Sequence, residues 1–182
     1  MVAGGPSEPY LATMRMPIRS ALLAALLGLS LPLVAQAQPR PQRIGDFQSW
    51  TAASFPEGGG KTCYAFTRPS KGEGGKDVML TVTHRASARD TVTISAGYTF
   101  PRGATAIVAV GGTDLSFYTS GAIAAAENGG AAVRAFRGGK EAVMKAPGAN
   151  GRGTVSDTFP LAGFGAAYDA ISKECPAAGG KR

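Results

Sequence analysis

Two short segments of this chain alternate, residue by residue, between aliphatic and polar side chains. In residues 78–85 (VMLTVTHR) aliphatic residues fall on one face and threonines on the other, and residues 91–96 (TVTISA) repeat the pattern. Successive side chains of a strand point to opposite faces of a sheet, so each segment predicts a half-buried antiparallel strand. A chain built from such segments has to bury one face of a β-sheet.

Four further segments are rich in strand-forming residues: 61–67, 104–110, 114–119 and 131–136. The 26 glycines and 12 prolines favour short elements joined by turns and argue against a coiled coil or a helical bundle. The runs Gly111-Gly112 and Asn128-Gly129-Gly130 supply the positive φ angles that tight hairpin turns need. This spacing of strands and turns is typical of a sandwich or a barrel.

The end of the chain changes to a helical period. Apolar residues recur there at helical spacing: Phe164, Ala167, Tyr168, Ile171 and Cys175. This stripe predicts an amphipathic helix that packs on the sheet, and Pro176 ends it. The predicted fold is therefore mainly β: an antiparallel β-sandwich or barrel-like sheet of about six or more strands with one C-terminal α-helix.

Residues 14–37 have the three parts of a secretory signal peptide. Two arginines precede the apolar run 21–34, and Ala35-Gln36-Ala37 forms a small-x-small cleavage site. A membrane-spanning helix needs about 20 apolar residues, and Pro32 interrupts this shorter run. We therefore expect cleavage after Ala37 and no transmembrane span in the mature chain. Because a signal peptide begins at the N-terminus, we also expect translation to start at Met14 or Met16, so that residues 1–13 are an over-extended N-terminus.

The remaining length suits one domain. We expect a flexible polar lead over residues 38–45, a single β-rich domain over residues 46–176 and a polar tail over residues 177–182. The predicted location is the periplasm. Export is also compatible with association with the cell surface or with secretion.

Cys63 and Cys175 are the only cysteines of the chain. Export places them in an oxidising compartment, where an even count favours one disulfide bond, and two buried free thiols are the alternative. Two cysteines and one histidine are too few for a zinc-finger framework. We expect neither a metal nor a cofactor.

His84 is the only histidine, so any catalytic triad has to use it. The residue is in phase with the aliphatic face of segment 78–85, and Asp90 is placed to orient it across a hairpin. No serine lies in a G-x-S-x-G context, and the acidic residues show no paired spacing. These observations favour a structural histidine in a protein that is not an enzyme. The alternative is a periplasmic hydrolase of envelope polymers that uses His84.

Six basic residues are candidates for binding an anion or a partner: Arg85, Arg89, Arg134, Arg137, Lys140 and Arg152. The formal net charge is +7, and strand geometry can gather such residues into a patch that attracts acidic envelope polymers or host glycans. A solvated basic surface without a partner explains them equally well. Nucleic acid is not expected as a partner outside the cytoplasm, and no recognition module is visible.

Three segments carry a family resemblance: IGDFQSW (44–50), TCYAF (62–66) and FPLAGFGAAYDAISKECP (159–176). Together with the Gly-rich centre, they resemble the invasion-associated locus B family of exported proteins, which is typical of alphaproteobacteria. The resemblance covers nearly the whole chain after residue 37. It implies an envelope role and supplies no catalytic residues. Many members of that family have further cysteines soon after the tryptophan, whereas here only Cys63 follows.

The function that the sequence favours is therefore an exported, non-enzymatic protein that binds an envelope or host-surface partner. Besides the hydrolase, a second alternative is a periplasmic assembly or stress factor whose sheet edge pairs with client proteins.

Overall fold

The computed structural model describes residues 40–58, 60–73 and 77–177. The predicted signal peptide, the first two residues of the predicted lead and the last residues of the tail lie outside these ranges.

The described chain forms eleven strands and two helices. In order along the chain they are β1 (Gln42–Phe47), β2 (Trp50–Glu57), β3 (Gly60–Thr67), β4 (Lys71–Gly72), β5 (Met79–His84), β6 (Thr91–Ser95), β7 (Thr105–Val110), β8 (Thr113–Ser120), β9 (Ile123–Ala126), α1 (Gly129–Gly138), β10 (Glu141–Pro147), β11 (Thr154–Pro160) and α2 (Phe164–Glu174).

All strands belong to one antiparallel sheet. Its order is β1-β2-β3-β5-β6-β9-β8-β7-β10-β11-β4, so β1 and β4 are the two edges and the fold is sandwich-like rather than a closed barrel. The strands predicted at 61–67, 78–85, 91–96, 104–110 and 114–119 are present as β3, β5, β6, β7 and β8. The mainly β fold and the C-terminal helix are confirmed.

Both helices pack on the same face of the sheet. We call this the inner face; it carries Trp50, Cys63 and Leu80, all at most 1% exposed, and the opposite one is the outer face. The ring of Phe164 in α2 lies 4.9 Å from the ring of Trp50 and 5.5 Å from that of Phe136 in α1. These three aromatic side chains join the two helices and the sheet into one hydrophobic core, which burial of apolar surface stabilises.

The prediction of a strand at 131–136 was wrong, because these residues lie in α1. The Asn128 side chain accepts a hydrogen bond from the backbone N–H of Ala131 at 2.9 Å and so caps the helix. Ala132, Val133 and Phe136 then fall on one helical face and are buried. The run Asn128-Gly129-Gly130 is thus a helix start rather than a hairpin turn, whereas Gly111-Gly112 does form the β7–β8 turn, with φ angles of 53° and 88°.

Six strands were not predicted: β1, β2, β4, β9, β10 and β11. Residues 42–45 of the expected lead belong to β1, which pairs with β2 through a register shift between Arg43 and Gly45. Strand β2 lacks a period-two pattern because Ala52, Ala53 and Ser54 are all buried. A strand that is buried on both faces has no alternation for sequence reasoning to detect.

The start of α2 generates a stability prediction. Gly163 has φ +88°, and a Cβ there would overlap the backbone carbonyl oxygen of Phe47. We expect Gly163→Ala to lower the free energy of unfolding by roughly 1–3 kcal/mol more than the matched control Gly111→Ala, which has positive φ but open space around it. Urea unfolding of the two variants measures the difference. If both variants lose the same free energy of unfolding, the positive φ angle alone explains the loss at residue 163 and the close approach to Phe47 adds nothing.

Candidate functional site

A buried polar cluster lies where the end of β5 meets α2. His84 is the last residue of β5 and is 0% exposed, and Asp90 precedes β6. The C-terminal half of α2 brings Tyr168 and Ser172 to the same place. We call these four residues and Arg89 the histidine cluster.

The hydrogen bonds fix the protonation of the imidazole. The backbone N–H of Asp90 donates to Nδ1 of His84 at 3.3 Å, so Nδ1 is an acceptor. The proton of the neutral ring then sits on Nε2, which donates to the Ser172 hydroxyl at 3.1 Å. The Asp90 carboxylate accepts a hydrogen bond from the Tyr168 hydroxyl at 2.6 Å and lies 3.7 Å from Nδ1. The sequence correctly placed Asp90 beside His84.

This arrangement differs from a catalytic triad in one respect that decides its chemistry. In a triad, Nε2 takes the proton of the serine, and Nδ1–H donates to the carboxylate. Here Nε2 donates to Ser172, and a guanidinium N–H of Arg89 also donates to the serine hydroxyl at 3.4 Å. A hydroxyl that accepts two hydrogen bonds is not activated as a nucleophile. The geometry is that of a connector between β5 and α2.

The electrostatics of the cluster favour the neutral ring. Burial lowers the pKa of His84, the positive charge of Arg89 lowers it further, and the Asp90 carboxylate opposes both effects. Burial and the hydrogen bond to Asp90 raise the pKa of the Tyr168 phenol. His84 is therefore uncharged at neutral pH, in keeping with its full burial.

The predicted disulfide is present beside the cluster. Cys63 and Cys175 are bonded, with Cα atoms 5.9 Å apart and a sequence separation of 112. Cys63 lies directly opposite His84 in the β3–β5 pairing. Arg89 donates to the carbonyl oxygen of Cys175 at 2.6 Å and thereby satisfies a free acceptor at the end of α2. The bridge and the histidine cluster together hold this end of α2 on the inner face.

The six predicted basic residues do not form one patch. Arg85 pairs with Glu57 at 3.1 Å, and Arg89 lies in the histidine cluster. A hydrogen bond from Thr62 and the charge of Arg85 lower the pKa of the Glu57 carboxyl. Arg152 lies in the β10–β11 loop, at the other end of β10 from Lys140.

Arg134, Arg137 and Lys140 follow one another at intervals of three residues along the end of α1 and just beyond it, and we call them the basic strip. The two arginines are one turn apart on the exposed side of α1, and Lys140 follows the end of the helix. Arg137 pairs with Asp169 of α2 at 2.5 Å and lies over the Tyr168 ring, 4.7 Å from its centroid. Neither Arg134 nor Lys140 makes an ion pair with any residue of the described chain.

The clefts of the described chain are shallow. One of about 320 Å³ lies between Arg102 and Ser120, and one of about 290 Å³ lies between Lys61 and Arg85. Arg134 lines a third, of about 220 Å³. Among the residues described, no group of three histidine, cysteine or acidic side chains is placed to hold a metal ion. No helix in the same ranges is long and apolar enough to cross a membrane.

The histidine cluster predicts that stability depends on pH. An unfolded histidine has a pKa near 6.5. Since the folded value is lower, the unfolded chain binds a proton between the two values that the folded chain does not. Stability is therefore full above about pH 6.5 and falls below it, by at most about 1.4 kcal/mol per pH unit.

Urea unfolding at a series of pH values tests this dependence on His84. His84→Gln keeps a donor toward Ser172 but does not titrate. We therefore expect this variant to lose the histidine's contribution to the fall in unfolding free energy below about pH 6.5. Ser172→Ala is the matched control, because it alters the same contact and leaves the histidine in place. Because the chain has one histidine, identical slopes for wild type and His84→Gln would contradict the assignment.

Comparisons with known proteins agree with this fold. The sequence profile of the family described as "Invasion associated locus B (IalB) protein" matches residues 50–172. The crystal structure of invasion associated protein B from Bartonella henselae superimposes with a TM-score of 0.55 at 18% identity, over 71% of this chain and 95% of that one. Among curated proteins, none matches this chain in sequence. The profile covers more than half of the sequence and includes the core residues Trp50 and Phe164, and the chain therefore belongs to the invasion-associated locus B family.

Proposed function

We propose that this protein is exported and acts without catalysis, by binding an acidic partner in the envelope or on a host surface through the basic strip. Family membership and the signal-peptide pattern of residues 14–37 support export. The related crystal structure is of a protein named for its association with invasion, which fits a role at a surface.

The observation that carries the proposal is that two of the three charges of the basic strip have no ion-pair partner in the described chain. Arg134 and Lys140 are exposed and lack an ion-pair partner within the described ranges, so their fields extend into solvent. Arg137 is held in place by Asp169 and the Tyr168 ring, which reduces the side-chain entropy that binding has to overcome. The strip therefore combines one fixed cation with two that are available to a ligand.

The net charge of the chain supports the same partner class. The full chain has a formal charge of +7, and loss of Arg15, Arg19 and Glu8 with residues 1–37 leaves +6. Such a charge attracts acidic polymers over about one Debye length, roughly 8 Å at physiological salt. Lipopolysaccharide phosphates in the envelope and sulfated glycans on a host cell are both acidic polymers of this kind. Arginine is well suited to such groups because its planar guanidinium forms paired hydrogen bonds with phosphate and sulfate oxygens.

The alternatives have less support in the geometry. The protonation of His84 speaks against a hydrolase that uses Ser172 as its nucleophile. At one edge of the sheet, a register shift and the Arg43–Asp46 ion pair disturb β1. At the other edge, β4 has two residues and pairs with Asp157 and Thr158 of β11. Irregularity and charge are the features that discourage strand addition.

Neutralising the basic strip tests the proposal. We expect the triple variant Arg134→Gln, Arg137→Gln and Lys140→Gln to bind immobilised heparin and purified lipopolysaccharide at least tenfold more weakly than wild type at low salt. Wild-type binding is expected to weaken as salt is added. Surface plasmon resonance measures both effects.

The matched control removes the same number of charges elsewhere. Lys71→Gln, Arg102→Gln and Lys145→Gln alter three exposed residues outside α1. Equal loss of binding in the two triple variants would show that net charge alone is responsible. Unchanged binding in the α1 variant would remove the basic strip from the account.

A further inference from the structure

The outer face of the sheet carries an ordered array of hydroxyl groups. Strands β5 and β6 each contain the sequence Thr-Val-Thr, and their pairing sets Thr81 opposite Thr93 and Thr83 opposite Thr91. The valines between them point to the inner face and are at most 2% exposed. Because paired residues of antiparallel strands lie about 5 Å apart, the four threonines form a compact block.

Aromatic side chains flank this block on both sides. Tyr64 and Phe66 of β3 pair with Thr83 and Thr81, and their rings are stacked with centroids 6.1 Å apart. On the other side the register continues from Thr93 through β9 to Tyr118 of β8, whose exposed fraction is 56%. We call the surface formed by Tyr64, Phe66, the four threonines and Tyr118 the hydroxyl–aromatic face.

The central strands of this face carry no outward charge, and no helix of the described chain covers them. Tyr118 is its most exposed member, whereas Thr83 is only 8% exposed. In the described chain, no outward position of β3, β5, β6 or β9 is acidic or basic, although the protein as a whole is 17% charged. Charged residues lie at its margins: Arg43 pairs with Asp46 and Glu57 with Arg85. Glu127, which directly follows β9, is exposed and in phase with the outward-facing Ala125. Neither helix lies over it, because both pack on the inner face.

We propose that the hydroxyl–aromatic face binds an uncharged glycan chain. A sugar ring offers an apolar C–H face, which packs on an exposed aromatic ring, and an edge of hydroxyls, which pair with fixed donors and acceptors. Threonine suits the second task because its branched side chain has few rotamers and loses little entropy on binding. The absence of charge matches a neutral ligand, since an acidic polymer would find no counter-charge on these strands.

This surface is distinct from the basic strip, which lies with α1 on the inner side of the sheet. The glycan proposal therefore does not depend on the proposed function, and the two are separated by salt. Binding to the basic strip weakens as salt is added, whereas binding to an uncharged face is expected to be insensitive to salt.

The probes are chitohexaose and cellohexaose, two linear uncharged oligosaccharides. We expect at least one of them to produce saturable NMR shifts in the methyl groups of Thr81, Thr83, Thr91 and Thr93. Tyr118→Ala is expected to weaken that binding on the order of tenfold, and Thr93→Val, which replaces the hydroxyl by a methyl group, to weaken it severalfold. Thr113→Val is the matched control, because Thr113 is in phase with the inward-facing Phe117 on β8 and its change leaves binding intact.

Three results would overturn the inference. The first is the absence of a saturable shift with either sugar. The second is sugar binding that is lost at high salt or in the triple variant of the basic strip. The third is a concentration-dependent dimer, detected by light scattering, that buries Tyr118 and makes a second copy the occupant of this face. Tyr118→Ala is expected to bind heparin as wild type does. In that case any of these three results overturns the glycan proposal alone and leaves the proposed function of the basic strip unaffected.

Discussion

The disulfide between Cys63 and Cys175 is the constraint on which the arrangement of this molecule depends. Helix α2 has eleven residues, too few to be stable alone in water, so it forms because it is held on the sheet. At its start, Gly163 lies against the carbonyl of Phe47 and Phe164 packs on Trp50. At its end, the bridge closes a loop of 112 residues, and the reduced entropy of the unfolded chain is expected to stabilise the fold by about 4.7 kcal/mol. The histidine cluster forms hydrogen bonds with the polar groups around the bridge.

Fixing α2 in this way decides which surfaces are left for function. The two helices and the aromatic core fill the inner face, so the remaining clefts are shallow and the one histidine is enclosed, neutral and hydrogen-bonded on both nitrogens. Two surfaces remain accessible: the basic strip on and just after α1, and the outer face of strands β3, β5, β6 and β9, which carries no outward charge. Both surfaces are suited to binding, and they favour ligands of different charge.

Sequence reasoning found the elements whose pattern is local. The Thr-Val-Thr strands and the stripe of α2 follow from periodicity, and Asp90 follows from its place across a hairpin from His84. Segment 131–136 was misassigned because its small apolar residues fit either period, and what selects a helix is the Asn128 cap and the distant contact between Phe136 and Phe164. Ser172 was missed because only the docking of α2 brings it to the imidazole. For the basic residues, the sequence left a shared patch and a dispersed solvated surface equally open. Only the strand pairing shows that Lys140 and Arg152 lie at opposite ends of β10.

The proposed export and the disulfide are tested together by one measurement on the protein from its own cells. Extraction under thiol-blocking conditions, followed by mass spectrometry, reports the N-terminus and the state of the cysteines together. We predict a chain that begins at Gln38 and contains a peptide pair linked through Cys63 and Cys175. A chain that retains residues 14–37 and carries the blocking group on both cysteines would contradict export and the bridge alike.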